Sequence, residues 1–68
     1  MIGKEKKMEK GIFRIIKLVG DEYEVEDHYK REYLAEEDAA WHAKDGSFVK
    51  VQFQAEPGAA WVTTWVSE

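Results

Sequence analysis

Two stretches of this chain alternate polar and apolar residues with a period of two, and that pattern commits it to antiparallel sheet. In one, Val49, Val51, Phe53 and Ala55 fall on one side of an extended backbone, and Lys50, Gln52 and Gln54 fall on the other. In the other, Tyr23, Val25 and Tyr29 alternate with Glu22, Glu24, Glu26 and His28, with Asp27 interrupting the apolar set. Successive side chains of a strand point to opposite faces, so each stretch reads as a strand with one buried side. The alternation predicts Tyr23 and Val25 inside and three glutamates standing together outside.

Two more segments complete a sheet. Residues 11–19 are apolar on both sides, with Arg14 and Lys17 on opposite faces, as suits a central strand. Residues 60–67 predict a last strand with Trp61, Thr63 and Trp65 on one face and Val62, Thr64 and Val66 on the other. Gly20-Asp21 fits a two-residue hairpin turn. Glu56-Pro57-Gly58-Ala59 fits a type II turn, with Pro second and Gly third.

Between the two hairpins the composition turns helical. Residues 34–44 are rich in Ala, with Glu36, Glu37 and Asp38 early and Lys44 last, the order a helix dipole favours. Gly46 is then placed to cap the helix in the left-handed conformation. A longer helix starting near Asp27 is the rival. The element order is ββαββ. The expected fold is a small α+β domain, a four-stranded antiparallel sheet with one short helix packed on one face. A small SH3-like barrel is the alternative.

Sixty-eight residues allow a single domain, here 11–68, preceded by a basic arm over 1–10 expected to be flexible. A chain this short has a bare sufficiency of core, so its three Trp, three Tyr and three Phe carry much of the burial. There is no cysteine, which excludes disulfides, thiolate zinc sites and thiol nucleophiles. A cytoplasmic location follows as the expectation. No apolar run approaches the roughly 20 residues of a membrane span.

Charge is unevenly spread. Residues 1–20 carry six bases against two acids, whereas residues 21–45 carry ten acids against three bases. An acidic middle repels phosphates and attracts a basic surface. Glu22, Glu24 and Glu26 on a strand would recur at about 6.6 Å, and a regular row of carboxylates can imitate a phosphate backbone. Glu36, Glu37 and Asp38 add a second cluster. Trp61 and Trp65, placed on one strand face, are either core or an exposed anchor.

Nothing in the chain has the spacing of a catalytic triad or a phosphate loop, and no cofactor is implied. The pairs His28/Glu32 and Asp38/His42 have helical i,i+4 spacing, but two isolated pairs do not make a metal site, and none is expected. The expected function is therefore non-enzymatic. It is a protein-binding module, plausible as an inhibitor that occludes a basic, nucleic-acid-binding surface of a partner protein, by analogy of size and charge with small acidic proteins of phages and mobile elements. Its contact residues would be Glu22, Glu24, Glu26, Glu36, Glu37, Asp38, Trp61 and Trp65. Two alternatives stand beside it. One is a single-stranded nucleic-acid-binding sheet that stacks bases on Trp61, Trp65 and Phe53, with Lys50, Arg14 and Lys17 on the backbone. It is disfavoured because the last strand offers no base and its neighbour offers only Lys50. The other is a structural subunit that forms homo-oligomers through an open sheet edge.

Overall fold

The computed structural model describes residues 11–67. The basic arm expected over 1–10 lies outside the described residues. The elements are β1 (Ile12–Val19), β2 (Glu22–Tyr29), α1 (Glu32–His42), a turn of 3-10 helix (Ala43–Asp45), β3 (Val49–Gln54) and β4 (Val62–Val66). All strand pairs are antiparallel, and the order across the sheet is β2-β1-β3-β4. The ββαββ domain expected from the pattern is the one that forms. Among the described residues the sheet has two edges, β2 and β4, and is not closed into the barrel.

The helix covers one face of the sheet. Ile15 of β1 and Val49 and Val51 of β3 are fully or almost fully buried against Ala35 and Ala39 of α1. Residues four apart share a helix face, so the two alanines form one smooth stripe. A stripe of methyl groups lets the helix settle close onto the β-branched side chains below. Phe13, Tyr29, Ala43 and Trp65 pack around this core, and the Phe13 and Phe53 rings meet with centroids 4.7 Å apart.

The helix starts two residues earlier than its composition indicates. Arg31 is extended (φ −117°, ψ 135°), and the first helical bond runs from Ala35 N–H to the Arg31 carbonyl at 3.2 Å. Its position is set by where β2 ends, not by where the alanines begin. At the other end Gly46, at φ 90°, donates its N–H to the Ala43 carbonyl at 3.0 Å, the left-handed stop expected of it. Gly20, at φ 68°, takes the first central position of the β1–β2 turn, where only glycine is free of strain.

Two bulges overturn the simple alternation. In β2, Asp27 lies opposite Ile15 but Val25 lies opposite the next residue, Ile16, so Glu26 is an inserted residue. In β4, Trp65 lies opposite Val51 and Thr63 opposite Gln52, so Thr64 is inserted. One extra residue shifts a period-two pattern to the other face. Tyr29 and Asp27 therefore share the helix side with Ile15, while Tyr23 and Val25 share the opposite face with Leu18 and Ile16. The expectation that Tyr23 and Val25 go inside is corrected: they are 41% and 48% exposed. The expectation that Trp61 and Trp65 share a face is corrected as well. Trp65 packs on the helix-side core, whereas Trp61 lies against Arg14 on the other side.

Candidate functional site

The helix flank facing β2 carries an exposed tryptophan beside two surface depressions. Leu34, Asp38 and Trp41 follow one another at spacings of four and three, which places them on one stripe of α1. With Glu37 and with Tyr29 from β2 they line a shallow groove of about 310 Å³. Trp41 also borders a second cavity of about 420 Å³, lined further by Lys17, His42, Lys44 and Asp45. Trp41 is thus the wall between two depressions, and it is 65% exposed. A side chain of this kind buries about 150–250 Å² when covered, and much of that area stands open to solvent here.

The polar groups here are fixed. The Tyr29 hydroxyl donates to Asp38 Oδ2 at 2.8 Å, and His42 Nε2 lies 3.7 Å from the same oxygen. The His42 and Trp41 rings meet edge to face at 5.4 Å. Asp45 accepts from the Ser47 hydroxyl at 2.7 Å and from its N–H at 3.0 Å, and these bonds hold its carboxyl below the ordinary range. Lys17 Nζ stands 3.9 Å from Asp45 Oδ2, and Glu24 lies opposite Lys17 on the same face.

Tyr29 offers a direct check of this geometry. Its hydrogen bond to Asp38, then burial, then the negative charges of Asp38 and Asp27 push the phenol from its ordinary 10.0 to about 12. The folded state holds this proton more tightly than the unfolded chain does. Its contribution is therefore complete below pH 10 and disappears as pH rises through about 12. Wild type should lose its advantage over Tyr29→Phe across that window, as read from urea midpoints at matched pH. A constant difference across the window would contradict the bond.

The predicted site residues are not all brought together. Glu22 and Glu24 stand on the helix side of β2, Glu26 is the bulge residue that breaks the row, and Glu37 and Asp38 line the groove. Glu36 lies about 100° round the helix from Glu37, on the flank of Ala40, which borders a different cavity beside Trp65. Among the described residues, none of Glu22, Glu24, Glu26, Glu36 and Glu37 is in an ion pair. His28 lies in β2, so its spacing to Glu32 is not helical. Trp41 was missed by sequence reasoning, although the i, i+4, i+7 spacing of Leu34, Asp38 and Trp41 carried the signal.

The other face of the sheet has the opposite chemistry. Arg14 lies over the Trp61 ring at 4.0 Å from its centroid, and Lys50 over the Tyr23 ring at 4.8 Å. Arg14 Nε and Nη2 donate to Gln52 Oε1 at 3.0 and 2.8 Å, and Gln52 Nε2 donates to Thr63 Oγ1 at 3.1 Å. The paired strand positions on this face carry Arg14, Lys50 and His28 and no carboxylate. Phe53 and Trp65, expected to join Trp61 in stacking bases, and Lys17, expected to contact the backbone, belong instead to the helix side. Arg14 is the base the last strand lacks, delivered from β1 because β3 pairs with both β1 and β4.

Comparison with protein families, with curated proteins and with solved structures finds no match to this chain. No described helix is long and apolar enough to cross a membrane.

Proposed function

We propose that this chain is a non-enzymatic protein-binding module that docks on a basic partner through the groove between α1 and β2. The supporting observation is the exposed Trp41 set among Leu34, Glu37 and Asp38 in a groove of about 310 Å³. An arginine or lysine side chain needs an apolar wall for its stem, an aromatic face for its cation and a carboxylate at its tip. The groove supplies all three. Glu22 and Glu24 extend negative charge along the helix side of β2 and would steer a basic surface toward it. A partner whose basic surface ordinarily holds nucleic acid would be blocked by the same contact, which gives the module the action of an inhibitor. Trp61 and Trp65 take no part in this docking, because neither borders the groove.

The test is a titration of the full chain with peptides selected from a random display library. Selected sequences should be enriched in Arg and Lys. Affinity should fall as salt rises, because exposed charges are screened beyond about 8 Å at physiological ionic strength. The double variant Glu24→Lys, Glu37→Lys should weaken binding about tenfold, a loss of about 1.4 kcal/mol. Selection of acidic peptides, or binding indifferent to both salt and these reversals, would overturn the proposal.

A further inference from the structure

The geometry points to a second binding surface: the open face of the sheet takes single-stranded nucleic acid, with bases on Tyr23 and Trp61 and phosphates on Lys50 and Arg14. It rests on observations separate from the groove. Single-strand sites combine aromatic rings, on which bases stack, with cations that follow the backbone. Here each ring already has its cation, Arg14 4.0 Å from the Trp61 centroid and Lys50 4.8 Å from that of Tyr23. The two pairs stand near opposite corners of the sheet. Tyr23 lies opposite Leu18 on edge strand β2, and Trp61 precedes Val62, which pairs with Phe53 and through it with Phe13. At about 3.3 Å per residue and 4.8 Å per strand, the diagonal between them is roughly 24 Å. That is a track for a few nucleotides, toward the lower end of the roughly 4–16 that a small single-strand-binding fold holds. Between the corners, Gln52 and Thr63 offer donors and acceptors to base edges.

Charge selects the class of ligand. The face carries bases and no carboxylate at its paired positions, although the whole chain has net charge −4. The paired acids of β2, Glu22, Glu24 and Asp27, and those of α1 lie on the helix side, so an anion is accepted on one face and repelled on the other. Area excludes a second copy of the chain. Four strands of five to eight residues give a footprint of roughly 430 Å², little more than half of what each partner buries in a stable interface. Two copies pressed face to face would also bring like charges together. An acidic protein segment would satisfy Arg14 and Lys50 but has no use for the two rings beside them.

The test is fluorescence anisotropy of the full chain with a short labelled oligothymidylate at low salt, against a duplex of equal length and a polyglutamate peptide. The single strand should bind, and more tightly than either competitor. Tyr23→Ala should weaken it roughly 5- to 150-fold, the value of one base–aromatic stack. Lys50→Glu should weaken it and flatten its salt dependence. Trp61→Ala should act like Tyr23→Ala, with circular dichroism confirming that both are folded, while Trp41→Ala leaves the oligonucleotide affinity unchanged. No binding at low salt, equal or tighter binding of duplex or polyglutamate, or affinity unchanged in both Tyr23→Ala and Lys50→Glu would overturn the assignment. None of those results bears on the groove.

Discussion

Ile15→Ala should leave a large share of the chain unfolded at room temperature, while Val25→Ala should leave it folded. Both residues are β-branched, both lie in paired strands, and the alternation of the sequence treats both as core. The structure separates them. Ile15 is fully buried between Ala35, Ala39, Val49 and Val51, whereas Val25 is 48% exposed on the far side of the sheet. Removing a buried isoleucine side chain to alanine costs about 2–5 kcal/mol, since the transfer energy of the lost atoms is joined by the cavity they leave. A domain below about 70–80 residues has only about 3–5 kcal/mol in total. Even the low end of that loss removes much of the stability. Val25→Ala gives up some strand preference and little burial, an effect within about 1 kcal/mol. Urea unfolding followed by circular dichroism measures both. Equal losses, or a greater loss at Val25, would mean that β2 has no bulge at Glu26 and that its faces are those of uninterrupted alternation.

That contrast marks how far the sequence could be read. Period-two patterning, Gly20-Asp21 and Pro57-Gly58 located the strands and turns, and Ala35 and Ala39 lay within the stretch read as helix. These features are local, and local chemistry fixes them. Face assignment was legible only as far as the first bulge. Glu26 and Thr64 are ordinary strand residues with no glycine or proline to mark an insertion, and each reverses everything beyond it. The bulge at Glu26 sends Tyr23 and Val25 to the open face, and the bulge at Thr64 parts Trp61 from Trp65. The pairing of Arg14 with Trp61 was hidden for another reason. It depends on strand order, and nothing in residues 12–19 alone states that β1 will lie beside β3. The acidic character of residues 21–45 was plain in the sequence, but its distribution was not. A helix turns about 100° per residue, so of Glu36 and Glu37, adjacent in the chain, only Glu37 lines the groove. The open sheet and the groove are both products of long-range placement, which explains why local pattern alone grouped Glu22, Glu24 and Glu26 with Glu36, Glu37, Asp38, Trp61 and Trp65 as one contact set.

Trp41→Ala should abolish most of the groove's affinity for an arginine-bearing peptide while leaving the fold intact. The ring is 65% exposed and forms no part of the buried core, so its loss falls in the class of surface changes worth about 0.5 kcal/mol or less in stability. Its place in binding is different. It walls both depressions, so any side chain entering either one meets it. Central tryptophans of this kind typically cost 2 kcal/mol or more when truncated, about 30-fold or more in affinity. Two mechanisms contribute to that figure, burial of the peptide's aliphatic stem and attraction of its cation to the ring face, and they can be separated. Replacing the peptide's arginine with citrulline keeps the shape and removes the charge. In wild type this should cost the cation–ring term, about 0.5–2 kcal/mol, in addition to the charge attraction of Glu37 and Asp38. In Trp41→Ala only the carboxylate part should remain, and in Trp41→Phe most of the ring part should return. The coupling between the two changes measures the contact itself, because each single change also perturbs its own surroundings. Zero coupling would place the arginine elsewhere on the acidic side, and unchanged binding in Trp41→Ala would remove the groove from the function altogether.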